Sequence, residues 1–116
     1  MAVVGAHVLL YTSEAEAVRA LLRDALGWEH VDAHEGWLIF ALPPAELGVH
    51  PGEAPEHELC LMCRDLDGTV DELRAKGVDF RGEPTDDDFG VWITMLLPGG
   101  LELLLYEPKH ATPLDL

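Results

Sequence analysis

Trp92-Ile93-Thr94-Met95-Leu96-Leu97-Pro98-Gly99-Gly100-Leu101-Glu102-Leu103 decides the fold, because an earlier stretch, Trp37-Leu38-Ile39-Phe40-Ala41-Leu42-Pro43-Pro44-Ala45-Glu46-Leu47, follows the same plan. Each is an apolar strand, a proline turn, and a glutamate that opens a second strand. Working outward, His7/His57 and Gly27/Gly77 share an offset of 50, Trp37/Trp92 and Pro43/Pro98 share 55, and Glu46/Glu102 falls at 56. The chain is therefore written twice, and two half-domains that face each other bring equivalent residues together at a site.

Each copy opens with a strand carrying a histidine, His7-Val8-Leu9-Leu10-Tyr11 in the first and His57-Glu58-Leu59-Cys60-Leu61 in the second. Thr12-Ser13-Glu14-Ala15-Glu16 then supplies hydroxyls and acids suited to a helix start. Val18, Leu21, Leu22, Ala25 and Leu26 recur at helical spacing before Gly27 stops the helix. Arg64-Asp65 opens the second helix, with Leu66, Val70 and Leu73 on one face and Gly77 at its end. Three strands follow each helix, at residues 28–32, 37–42 and 46–50, then at 78–81, 91–97 and 102–107. Each copy reads strand, helix, strand, strand, strand, with one side of each helix packed on a sheet.

A chain of 116 residues fits a single domain. Module one spans about 5–51 and module two about 56–108, and the stretch Pro51-Gly52-Glu53-Ala54-Pro55-Glu56 is too short and rigid to separate domains. The tail after Pro108 reads as an exposed end. No apolar run approaches a membrane span and the start lacks a charged leader, so a cytoplasmic location is expected. Asp and Glu number 22 against 7 Lys and Arg, a net charge of −15. That balance disfavours nucleic acid and anionic membrane as partners and tolerates a cationic ligand. Cys60 and Cys63 have CxxC spacing, but on a strand positions three apart point to opposite faces and there is no second pair to complete a zinc site.

The two modules form an α+β fold, a curved mixed-sheet cup with its helices outside and its concave face lined by alternate strand residues. Strand parity puts Glu46, Gly48 and His50 on one face, and Glu102, Leu104 and Tyr106 on another. With His7 and His57 pointing inward, the cup holds imidazoles and carboxylates. Trp92 and Tyr106 supply its wall, Tyr106 offering a hydroxyl to a ligand.

These residues resemble the vicinal oxygen chelate superfamily, which includes glyoxalase I, extradiol dioxygenases, fosfomycin-resistance enzymes and bleomycin-resistance proteins. The resemblance runs from about Gly5 to Pro108. It rests on the paired modules and on three local runs: residues 6–13 with Leu26-Gly27-Trp28, residues 57–62 with Leu73-Arg74-Ala75-Lys76-Gly77-Val78, and residues 97–108. It implies metal-ligand roles for His7 and His57. The family's carboxylate position falls on Leu104, two residues beyond Glu102, and its module-one equivalent falls on Gly48 rather than Glu46. Two residues are about 6–7 Å of strand, against a tolerance of about 0.2 Å in ligand distance. Glu102 remains a ligand if a bulge shifts the register, and His50 is a substitute on the inward face of its strand.

The resemblance implies a glyoxalase-like enzyme. In it a divalent metal (zinc, iron, nickel or manganese) binds vicinal substrate oxygens, and Glu102 or Glu46 moves a proton in isomerase, lyase or dioxygenase chemistry. The alternative is a metal-free binding protein of the bleomycin-resistance type that sequesters an aromatic or cationic compound. Either way the resemblance implies a homodimer.

Overall fold

The computed structural model describes residues 5–115. The expectation about a leader falls on residues 1–4, outside the described residues. Two helices, α1 (Ala15–Asp24) and α2 (Leu66–Ala75), accompany six strands: β1 (His30–Asp32), β2 (Leu38–Phe40), β3 (Cys60–Met62), β4 (Asp79–Asp87), β5 (Gly90–Leu96) and β6 (Glu102–Pro108). No described helix is long and apolar enough to cross a membrane.

Both helices form where the apolar spacing puts them. The Thr12 hydroxyl accepts from the Glu14 N–H and donates to the Pro98 carbonyl, each at 3.1 Å, so it ties the start of α1 to the turn before β6. Asp65 caps α2 by accepting from the Gly68 N–H at 3.2 Å. Gly27 and Gly77 take the positive φ values, +69° and +90°, that end the two helices.

Module two closes into a four-stranded sheet in the order β3-β6-β5-β4, with β3 parallel to β6 and the other pairs antiparallel. Odd-numbered residues Ile93, Met95, Leu103 and Leu105 turn to one face and meet Leu66, Val70 and Leu73 of α2. Val18, Leu22 and Ala25 from α1 join the same core, so the two helices share one core instead of each covering a sheet of its own. β4 runs six residues past its expected end at 81. It does so by a register shift between Arg81 and Thr85, and as an edge strand it accommodates Pro84.

Module one differs from expectation. β1 and β2 pair as a hairpin, but residues 7–11 and 46–50 enter no ladder and carry no regular secondary structure. Their module-two equivalents, β3 and the strand from Glu102, pair with each other in parallel. A strand needs a neighbour for its N–H and C=O groups, and Pro43, Pro44, Pro51 and Pro55 also remove donors along this stretch. The cup is consequently open on its module-one side. The radius of gyration, 15.1 Å, exceeds the roughly 13 Å typical of a closed domain of this length.

Candidate functional site

β6 ends at Pro108, and the chain then crosses the β4–β5 turn. The Lys109 N–H donates to the Phe89 carbonyl at 2.9 Å, and the Lys109 ammonium pairs with Asp86. This seats His110 beside Tyr106, the buried tyrosine of β6, with ring centres 5.8 Å apart. Phe89 packs edge-on against the same tyrosine at 5.8 Å.

These residues stand at one end of a cleft of about 1500 Å³. Its walls come from Trp28 after α1, the extended segment after β2, the edge strand β3, and Phe89, Leu105 and Tyr106. Glu46 reaches into it from the extended segment. One Glu46 oxygen accepts from the Thr112 hydroxyl, and the other lies 3.9 Å from His110 Nε2. The Tyr106 hydroxyl is 3.0 Å from the same nitrogen. Burial, then the negative charge of Glu46 and of a Cys60 thiolate, raise the Tyr106 phenol above its ordinary range, so it stays protonated. Burial, reinforced by Glu58, pushes the Cys60 thiol up to about 11. Both cysteines are free, and Cys63 is raised as well, chiefly by burial.

The residues singled out from the sequence separate into two groups. Glu46, His50 and Tyr106 line the cleft. His7 and His57 lie exposed in extended segments and do not line it. Trp92, opposite Tyr106 on β5, does not line the cleft either, its indole N–H donating to Asp87 at 2.7 Å. Glu102 is exposed and held by a two-pronged ion pair with Arg81, whose hydrogen bonds lower its carboxyl below the usual range. Strand parity placed Glu102 on the face of Leu104 and Tyr106. What it could not supply was the arginine across two strands that neutralises it.

Among the described residues no three His, Cys, Asp or Glu side chains gather as a metal site requires. The donor set His7, His57, Glu102 and His50 therefore does not fit a divalent metal in this chain, because it is spread over exposed segments and an occupied ion pair. His110, Thr112 and Phe89 are the cleft-end residues that sequence reasoning missed. No periodicity marks them, and the only local signal is Pro108, which turns the chain at the end of β6.

No protein-family model and no curated protein sequence matches the chain. Solved structures do. The antibiotic-binding protein TnmS3 from a Streptomyces species superposes with a TM-score of 0.68 at 21% identity, covering 94% of this chain and 99% of that one. A glyoxalase/bleomycin resistance protein/dioxygenase from Nocardioides gives 0.61 at 18%, covering 90% and 83%. Lactoylglutathione lyase from Agrobacterium tumefaciens gives 0.61 at 17%, covering 84% and 88%. The fold is thus that of the glyoxalase/bleomycin resistance protein/dioxygenase superfamily, as the sequence resemblance implied.

Proposed function

We propose that this chain, built on the vicinal oxygen chelate fold, is a binding protein that takes a small, largely apolar, positively charged organic molecule into its cleft without a metal. The observation that carries the reading is the lining of that cleft. Trp28, Leu59, Phe89, Leu105 and Tyr106 offer aromatic and aliphatic contact, while Glu46, Glu53, Glu56, Glu58 and Glu72 outnumber Arg64 and Lys76. Lys76 is in addition engaged by Glu72 at 3.6 Å and by the Ala25 carbonyl at 3.4 Å. Apolar walls with a few placed polar groups are the ordinary make-up of a ligand site. A carboxylate beside aromatic rings suits a cation. The similarity to an antibiotic-binding protein supports the same reading, whereas the scattered histidines do not support Lewis-acid chemistry within one chain.

The test uses proflavine, a planar aromatic cation, as a fluorescent probe, with the anionic dye ANS as control. Protein purified without chelators should bind proflavine in preference to ANS, and Glu46→Gln and Phe89→Ala should each weaken it several-fold. Elemental analysis of the same protein should find no stoichiometric metal. A bound metal at one per chain, or proflavine binding indifferent to both substitutions, would overturn the reading.

The same proposal includes a homodimer. Leu9, Leu47 and Val49 are 61%, 90% and 90% exposed on unpaired extended segments, and β3 leaves one edge of its sheet open. Such edges are pairing surfaces unless they are blocked. Light scattering at micromolar concentration should give twice the chain mass, and a monomeric mass would count against it. A cytoplasmic protein with neither nucleic acid nor membrane as partner completes the proposal, in keeping with the net charge of −15.

A further inference from the structure

Of the seven lysines and arginines in this acidic chain, all but one are engaged within it. Arg23 pairs with Asp24, Lys76 with Glu72, Arg81 with Glu102 and Lys109 with Asp86. Arg19 stacks on Trp37, and Arg74 on Phe80. Arg64 is the exception. It is exposed and lines the cleft, and among the described residues no carboxylate, carbonyl or aromatic ring engages its guanidinium.

Local structure accounts for the missing partner. The acids beside Arg64, one next in the chain and one on β6, both serve the start of α2. Asp65 accepts from the Gly68 N–H at 3.2 Å, and Glu107 accepts from the Leu66 N–H at 3.0 Å. Each carboxylate is turned to the positive end of the helix, so neither neutralises the arginine.

The ladder fixes where Arg64 emerges. Met62 lies opposite Tyr106, and the Cys63 N–H donates to the Tyr106 carbonyl at 2.9 Å. Arg64 follows directly, at the end of the cleft where Phe89, Tyr106 and Glu46 stand. Glu46 in turn meets no lysine or arginine among the described residues, its polar contacts being Thr112 and His110. One end of the cleft therefore carries a carboxylate and a guanidinium that do not meet each other.

We propose that Arg64 is a specificity-determining residue of the cleft, holding the carboxylate of an amphoteric aromatic ligand whose positive centre faces Glu46. This rests on the binding function proposed above and narrows its ligand class to aromatic cations that also carry an acid. The planar fork of a guanidinium matches the two oxygens of a carboxylate. A dianionic phosphate suits the site less, because Glu53, Glu56, Glu58 and Glu72 line the same cleft and repel its second charge.

The test compares two dyes by fluorescence anisotropy: rhodamine B, a planar aromatic cation with a free carboxyl group, and its ethyl ester, which lacks the acid. The wild type should bind rhodamine B about three- to fivefold more tightly than the ester, and added salt should shrink the preference. The net charge of −15 acting alone predicts the reverse order, since the ester is the more positive dye. Arg64→Gln should bring rhodamine B down to the affinity of the ester without weakening the ester. Arg64→Lys should keep part of the preference, having the charge but not the fork. Glu46→Gln should weaken both dyes alike. Equal binding of the two dyes by the wild type, or a preference that survives Arg64→Gln, would overturn the role of Arg64 and leave the binding function standing. Failure of both dyes to bind would overturn the binding function and this inference together.

Discussion

Gly90→Ala is a small change with a large expected consequence, because it acts on the joint that places Tyr106. Gly90 opens β5 opposite Pro108 of β6, next to the pair Val91–Glu107. A Cβ built there would stand 2.4 Å from the Glu107 carbonyl oxygen and 3.1 Å from Tyr106 Cδ2. The first contact is with backbone, which cannot rotate away, so the β5–β6 ladder must open at its end or the tyrosine ring must move. Forcing one extra carbon into packed surroundings costs about 1–3 kcal/mol. For a domain of this size each kcal/mol corresponds to roughly 3–5 °C in Tm, giving an expected loss of about 3–15 °C. Urea and thermal unfolding would measure it, beside Gly52→Ala as a control. At Gly52 the nearest heavy atom would be an ordinary 3.6 Å away and φ is not positive, so that change should be neutral or slightly stabilising. The His110 ring resonance should also move in Gly90→Ala, since the Tyr106 hydroxyl hydrogen-bonds to it. A stability loss below about 0.5 kcal/mol with an unmoved His110 signal would refute the steric reasoning.

Cys60, with its thiol pushed up to about 11 from 9.0, should carry about a hundredfold less thiolate at pH 8 than an ordinary cysteine. The greater nucleophilicity of a more basic thiolate recovers roughly tenfold, so alkylation by iodoacetamide should run about tenfold slower than in a peptide, and should keep rising past pH 10. Mass spectrometry of the modified chain checks this, and peptide-like reactivity would contradict it. Leu66→Ala, at a side chain 2% exposed in the shared core, should cost about 2–5 kcal/mol in urea unfolding. Leu47→Ala, at 90% exposure, should stay within about 0.5 kcal/mol at concentrations where the chain is monomeric.

The parts of the fold that were legible in the sequence are those whose cause is local. Val18 and Leu22, then Leu66, Val70 and Leu73, declare their helices because the residues that must share a face lie three or four apart. The alternation in 91–97 and 102–107 likewise assigns Ile93, Met95, Leu103 and Leu105 to the core. What was not legible depends on partners far away in the chain. Residues 46–50 have a strand's pattern but no neighbour to pair with. Glu102 meets Arg81 by virtue of a three-strand register, 21 positions apart. Glu46 meets Thr112 across 66 positions, with nothing in either neighbourhood to announce it. Of the side chains the repeat paired, only Glu46 lines the cleft, and its partners His110 and Thr112 come from a tail that the repeat does not include.

The same plan yields unequal halves because β6 has two neighbours and residues 46–50 have none. In module two, β6 lies between β3 and β5, so its backbone groups are paired on both sides while Leu103 and Leu105 are buried below. The corresponding stretch of module one leaves its N–H and C=O groups to water and Leu47 and Val49 to the surface. Free energies of local opening follow buried contacts and paired backbone. Stability is accordingly concentrated in module two and α1, and the cleft wall is the part that moves at least cost. That division suits a binding protein: a rigid floor of Phe89 and Tyr106 sets the position of a ligand, and a compliant wall carrying Glu46 and His50 adjusts to its outline.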